Sequence, residues 1–352
     1  MLSQTPPMRA IARAAFATTL LLSASLTPLA AQTANKPSWL DPALLEAAKA
    51  EGGTVVVYST TNEEEGLPLW KLFEDATGIK AQYVRASDSQ ILGRVTIEAR
   101  AGQKTWDIAQ TANVQKFPDP MMLAFEPPEA KNIFPEARAE NKRWYGVYSN
   151  YNTPAYNTKM IKKEDLPKSF EDFSKHPEWA GKVVIDSTDH VWLATVFKFY
   201  GEEKARKVLK EFVSVVKPVV IDGHLAVARA VGAGEYWFAL NNYLNLTVNQ
   251  KLAGASTDYF LMDPVPLFYG QVGVSANAPH PKTALLAANF SLSKEAQTHL
   301  ATFGRMPTRA DVETNPPGIV KEVNTAKVMS VLLTGEEDRV WQREFKEILL
   351  AR

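Results

Sequence analysis

Residues 54–62 read Thr-Val-Val-Val-Tyr-Ser-Thr-Thr-Asn, and this stretch constrains the fold more than any other. Residues 54–57 form an unbroken run of β-formers. They are too apolar for a half-exposed strand, so they predict a central strand buried on both faces. Hydroxyl and amide residues follow at once, and Glu63, Glu64 and Glu65 then open a helix. Buried strand, short polar loop and helix N-terminus make the repeating unit of an open α/β sheet. Ligands bind such sheets at the carboxyl ends of the strands.

The unit recurs along the chain. A short helix over 42–50, with Asp41 as its cap and Pro42 at its first position, precedes the first strand. Asn62 and Glu65 are spaced as a capping box for the helix that follows. A second strand is predicted over 79–85, a capped loop at Ser87-Asp88-Ser89-Gln90, a helix after it, and a third strand over 106–110 with Asn113 just beyond. This βαβαβ opening predicts a parallel sheet with right-handed crossovers. Residues 118–135 are rich in proline and read as a connector. Residues 144–149 read as a strand, followed by a turn from Tyr151. Strand, polar loop and helix then repeat three times between 182 and 252, with loops at 186–190, 222–224 and 241–243. A strand over 272–275 returns to the first half. Residues 320–350 read as an amphipathic helical tail packed on the outside.

The charges exclude some functions. Of 352 residues, 39 are Lys or Arg and 39 are Asp or Glu. The first 31 residues hold Arg9 and Arg13 and no acid, leaving a net charge of −2 beyond them. That balance gives no basic field for a nucleic acid. The same 31 residues have a positive start, an apolar run over 14–22 and small residues at Ala30 and Ala31, the pattern of a cleaved export signal. An uncleaved signal anchor is the alternative. The chain has no cysteine, which removes a thiol nucleophile, a thiolate metal site and a lipid-modified cysteine. A G-x-S-x-G elbow, a Walker loop, an H-E-x-x-H pair and a G-x-G-x-x-G after a strand are all absent, so none of these catalytic signatures points to an enzyme.

The ordered motifs Val-Tyr-Ser-Thr-Thr-Asn, Asp88-Ser89 with Leu92, Trp106-Asp107-Ile108, Tyr151-Asn152-Thr153, Gly234-Glu235 before Asn241-Asn242-Tyr243, and Gly273-Val274 before Ala278-Pro279-His280-Pro281 carry a family resemblance. Over about 53–309 the chain resembles the periplasmic solute-binding proteins of ABC importers, in the branch that includes the ferric-iron-binding proteins. The resemblance implies an α/β fold of type II: two lobes of mixed or parallel sheet flanked by helices and joined by a strand hinge. On this scheme 1–31 is the signal, 32–149 with 272–352 is lobe one, and 150–271 is lobe two. It also implies a monomer in the periplasm that shuts over a small molecule and is read by an inner-membrane permease. No cofactor and no catalysis are implied. Iron-binding members use two adjacent tyrosines with a histidine and a glutamate. Here Leu244 follows Tyr243, Asn62 stands at the histidine position, and Ala112 or Asn113 stands at the carboxylate position. One phenol and two amides suit a hard trivalent ion poorly.

The candidate ligand residues are therefore Ser59, Thr60, Thr61, Asn62, Arg85, Ser87, Ser89 and Asn113 from the first half, and Ser187, Thr188, His190, Asn242 and Tyr243 from the second. Hydroxyls, amides and helix-start N–H groups suit a polar or anionic solute, such as an organic acid or an organophosphorus compound. Plain helix capping is the competing role for Asn62, Ser87 and Ser187, a solvated rim position for Arg85, and a packed interlobe aromatic for Tyr243. Two further alternatives stay open: a ferric-iron binder using Tyr243 with an exogenous anion, and an exported enzyme on the same scaffold.

Overall fold

The computed structural model describes residues 37–350. The export signal expected over 1–31 lies outside them. Among the described residues eleven strands form the framework: β1 (Thr54–Ser59), β2 (Lys80–Arg85), β3 (Ile108–Thr111), β4 (Tyr145–Asn157), β5 (Val183–Asp186), β6 (Val219–Ile221), β7 (Phe238–Tyr243), β8 (Thr257–Tyr259), β9 (Val265–Val274), β10 (Met306–Pro307) and β11 (Val328–Ser330). The main path runs β2-β1-β3-β9-β4-β7-β5-β6. The two ends of the path are parallel, β2-β1-β3 and β7-β5-β6, whereas β9 and β4 in the middle run antiparallel to their neighbours.

β4 is the pivot of this arrangement. All thirteen of its residues are buried. Its first half pairs with β9 through Tyr145–Tyr151, and its second half pairs with β7 and β8 through Asn152–Asn157. The turn expected from Tyr151 is thus continuous strand. Tyr151, Asn152 and Thr153 have an edge to pair with on β9 and then β7, and this decides their conformation more than their polarity does.

Two large apolar cores sit on either side of this middle. One gathers Trp39, Trp70, Phe73 and Phe290, with ring centroids 4.9–6.0 Å apart where they touch. The other gathers Phe170, Phe173, Trp179, Phe212 and Phe238. Phe345, Ile348 and Leu349, which the resemblance groups with 272–352 in lobe one, pack in this second core. The tail expected to be helical over 320–350 is interrupted by a strand. It is a short helix Ile319–Val323, then β11 beside β9, then a helix Gly335–Phe345 capped by Thr334 and Glu337.

Candidate functional site

Two helix starts face a common hollow. The helix Asp88–Arg100 begins with a capping box: Ser87 Oγ accepts from Gln90 N, and Ser87 N donates to Gln90 Oε1. Ser87 is therefore a cap, yet it also lines the hollow, with its Oγ 3.2 Å from Ser89 Oγ. Asp88 faces the loop after β3, accepting from Thr111 Oγ1 and Ala112 N. The second helix, His190–Tyr200, is capped by Asp189, whose Oδ1 accepts from Trp192 N at 3.0 Å.

The hollow between these helix starts measures about 640 Å³, within the range of small-molecule sites. Ser87, Ser89, Asn113 and Lys116 line it from the first half. Thr188, His190 and Tyr243 line it from the second, Phe268 of β9 from between them, and Leu332, Asp338 and Gln342 from the tail. The tail therefore does not lie wholly on the outside as its amphipathic pattern suggested.

Six of the thirteen candidates meet here: Ser87, Ser89, Asn113, Thr188, His190 and Tyr243. The other seven are not part of this wall. The loop after β1 is held by internal bonds. Ser59 Oγ accepts from Thr61 N at 3.1 Å, Tyr83 Oη donates to Thr61 O at 2.6 Å, and Thr61 Oγ1 lies 3.3 Å from Tyr148 Oη. Thr60 N donates to Gln110 O. Asn62 stands at the helix start without making a side-chain cap bond. The expected capping box fails because Glu65 binds the buried guanidinium of Arg305 instead, at 2.7 Å. Arg85 is exposed at the end of β2, Ser187 Oγ donates to Asp222 Oδ1 at 3.1 Å, and Asn242 is fully buried with its amide donating to Thr247 Oγ1 at 3.0 Å.

Tyr243 ends β7 and precedes the helix Leu244–Leu252. Its ring stacks on His224 at 3.7 Å and meets Phe268 edge-on at 5.5 Å. Burial, and then the nearby Asp189, Asp88 and Asp186 charges, push its phenol well above the ordinary value. Burial and the Asp186 charge also push Asp189 up well above the ordinary carboxylate value. Burial raises Asp88 as well, against the hydrogen bond from Thr111 and the charge of Lys116. Burial thus disfavours the charged form of all three acids, while Lys116 on the wall is paired with the Asp338 carboxylate at 2.9 Å. Among the described residues no group of three or more His, Cys, Asp or Glu is arranged to hold a metal ion.

Lys116 and Asp338 were missed in the sequence. Lys116 follows β3 in a short 3₁₀ turn, Val114–Lys116, at the edge of a proline-rich stretch, and Asp338 belongs to a tail without strand-loop-helix spacing. Asp88 stands in the Asp88-Ser89 motif, but its role in tying two loops together depends on the pairing of β1 with β3 and is invisible in local pattern.

The profile of the family described as bacterial extracellular solute-binding protein matches residues 69–326. The chain belongs to this family. Its members are periplasmic solute-binding components of ABC transporters. A Fe(3+)-binding periplasmic protein of Serratia marcescens is 23% identical over 269 residues, covering 73% of this chain and 78% of the relative. A putative 2-aminoethylphosphonate-binding periplasmic protein of Salmonella typhi is 24% identical over 298 residues, covering 79% and 82%. The periplasmic binding protein AfuA of Actinobacillus pleuropneumoniae, solved with exogenous fructose 6-phosphate bound, superposes with a TM-score of 0.72 at 19% identity, covering 86% of this chain and all of that one. The fold of this solute-binding protein is thus the type II periplasmic binding fold, mixed α/β with helices on the faces of the sheet. These relatives are named as binding proteins and as periplasmic.

Proposed function

We propose that this binding protein captures a small anionic solute, an organic acid or an organophosphorus compound, in the 640 Å³ hollow and delivers it to an inner-membrane permease. The carrying observation is the polar lining of that hollow: hydroxyls on both walls, the Asn113 amide on the first, and one buried lysine whose counter-charge is Asp338, beside acids whose charged form burial disfavours. Ser87, Ser89 and Asn113 meet one side of the guest, and Thr188, His190 and Tyr243 the other. The lobes, 32–149 with 272–352 and 150–271, swing about β4 and β9, with the helix Gly335–Phe345 riding on the second. The protein works as a monomer, exported by its first 31 residues. The phosphonate name of the Salmonella relative and the sugar phosphate in AfuA support the anionic class.

A thermal-shift panel of organic acids, phosphonates and phosphate esters tests this. A true ligand at a hundred times its Kd adds about 2.7 kcal/mol to stability, and a panel without a hit refutes the reading. A second reading, ferric iron held by Tyr243 with an exogenous anion, is favoured by the position of Tyr243 on the wall and by the name of the Serratia relative. Its mark is a visible tyrosinate–iron band on adding ferric citrate, lost in Tyr243→Phe. A colourless mixture removes it.

A further inference from the structure

The hollow already contains one carboxylate that belongs to neither wall. Asp338 sits in the helix Gly335–Phe345, which is fixed to the second core: Trp341 meets Phe197 edge-on at 5.1 Å, Phe345 packs against His190, and Glu344 pairs with Arg206 at 2.8 Å. From that base Asp338 Oδ1 reaches Lys116 Nζ at 2.9 Å, on the first half of the molecule, and lies 3.7 Å from His190 Nδ1 on the second. The side chain of Lys116 is only 6% exposed. A buried ammonium without a counter-charge is strongly unfavourable, so this lysine requires an anion; Asp338 is the one it pairs with, while the Asp88 carboxyl feels its charge without an ion pair. Burial alone would raise the Asp338 carboxyl, but the nearby His190 and Lys116 hold it well below the usual range.

We propose that Lys116, with His190 across from it, is the subsite for the anionic group of the solute, and that Asp338 is an internal stand-in which the solute displaces. The proposal rests on the anionic reading above and deepens it. A guest carboxylate or phosphonate takes over the charge-assisted bond from Lys116, and the tail loses its only ion pair to the first half among the described residues. The affinity of the protein for its solute is thereby set lower than the walls alone would give, because every binding event first breaks the Lys116–Asp338 pair. Selectivity follows from the same geometry. A neutral guest cannot satisfy Lys116 and leaves Asp338 in place.

The test is titration calorimetry of the full protein with inorganic phosphate, methylphosphonate and 2-aminoethylphosphonate, in the wild type, Asp338→Asn, Asp338→Ala and Lys116→Gln. Both Asp338 variants are expected to bind the preferred anion about tenfold more tightly, the scale of one charge-assisted hydrogen bond, and Lys116→Gln at least tenfold more weakly. Melting curves without ligand check that each variant is folded. Hydrogen exchange should also rise in the helix Gly335–Phe345 of the wild type when the anion is added. If the wild type binds an anion and the Asp338 variants bind it no better, or Lys116→Gln binds it equally well, the stand-in is wrong while the anionic reading survives. If no anion binds the wild type or either Asp338 variant, both fail together.

Discussion

The end of β1 and the loop after it carry four of the hydroxyl and amide residues that mark a ligand site in the sequence, yet the loop is anchored by a buried ion pair, and that anchor can be cut. Arg305 Nε donates to Glu65 Oε2 at 2.7 Å and Nη2 to Oε1 at 3.3 Å, while Nη1 donates to Asn150 Oδ1 at 3.2 Å. The guanidinium lies 4.5 Å above the Tyr148 ring, and Tyr148 Oη in turn meets Thr61 Oγ1. The two side chains are 7% and 5% exposed. Glu65→Gln keeps the shape and removes the counter-charge. Stranding a buried charge in this way costs about 3–5 kcal/mol. Each kcal/mol moves the melting temperature by about 2–4 °C in domains of 150–250 residues, and less in longer chains. The low end of that range gives a fall of roughly 6–10 °C. Glu65→Leu combined with Arg305→Met removes both charges and should recover most of the loss, since apolar pairs replace buried ion pairs at little cost. Scanning calorimetry of the single and double variants reads the effect. A single-variant loss below about 1 kcal/mol, or a double variant as unstable as the two singles combined, would refute the claim that this pair clamps the loop.

Other outcomes follow from the same structure. Gly270 of β9 lies under Tyr148, and a Cβ there would overlap the ring. Gly270→Ala should therefore destabilise by about 1–3 kcal/mol in chemical denaturation. Burial holds His224 below its ordinary value despite the Asp186 charge. The unfolded histidine thus takes a proton more readily, and stability should fall as the pH drops below about 6.5. Melting temperatures between pH 7.5 and 5 should show a shallower fall in His224→Gln than in the wild type. Tyr243→Ala removes the ring that caps His224 and should weaken binding of the preferred anion by about tenfold, whereas Tyr243→Phe keeps the ring and should change it by less than about threefold. Equal losses in the two variants would assign the contact to the hydroxyl.

The alternation of buried strand, polar loop and helix made β1–β3 and β5–β7 legible, because each unit is local. Ser87 and Gln90 announced their cap, and Asp41 its own, since a cap needs only three or four residues. The long strand β4 was not legible beyond Ser149. Tyr151-Asn152-Thr153 has the composition of a turn, and only β9 and β7, more than eighty residues away, make it strand. The same distance effect misdirected Asn62. Its capping partner, Glu65, is taken by Arg305 across 240 residues. In the hollow, the helix-start hydroxyls and Tyr243 could be read from their loops. Lys116 and Asp338 could not, because they act as a pair only once the tail has folded back across the sheet.

The central claim is that one anionic guest sits between the helix starts at Ser89 and His190. A crystal structure of the protein with the tightest-binding anion of the panel tests it most directly. The account predicts the guest within contact of both Ser89 and Tyr243, with its anionic group inside hydrogen-bonding distance of Lys116 Nζ and Asp338 moved away. Density for the anion on an outer face, with the Lys116–Asp338 pair unbroken and the hollow unoccupied, would contradict it.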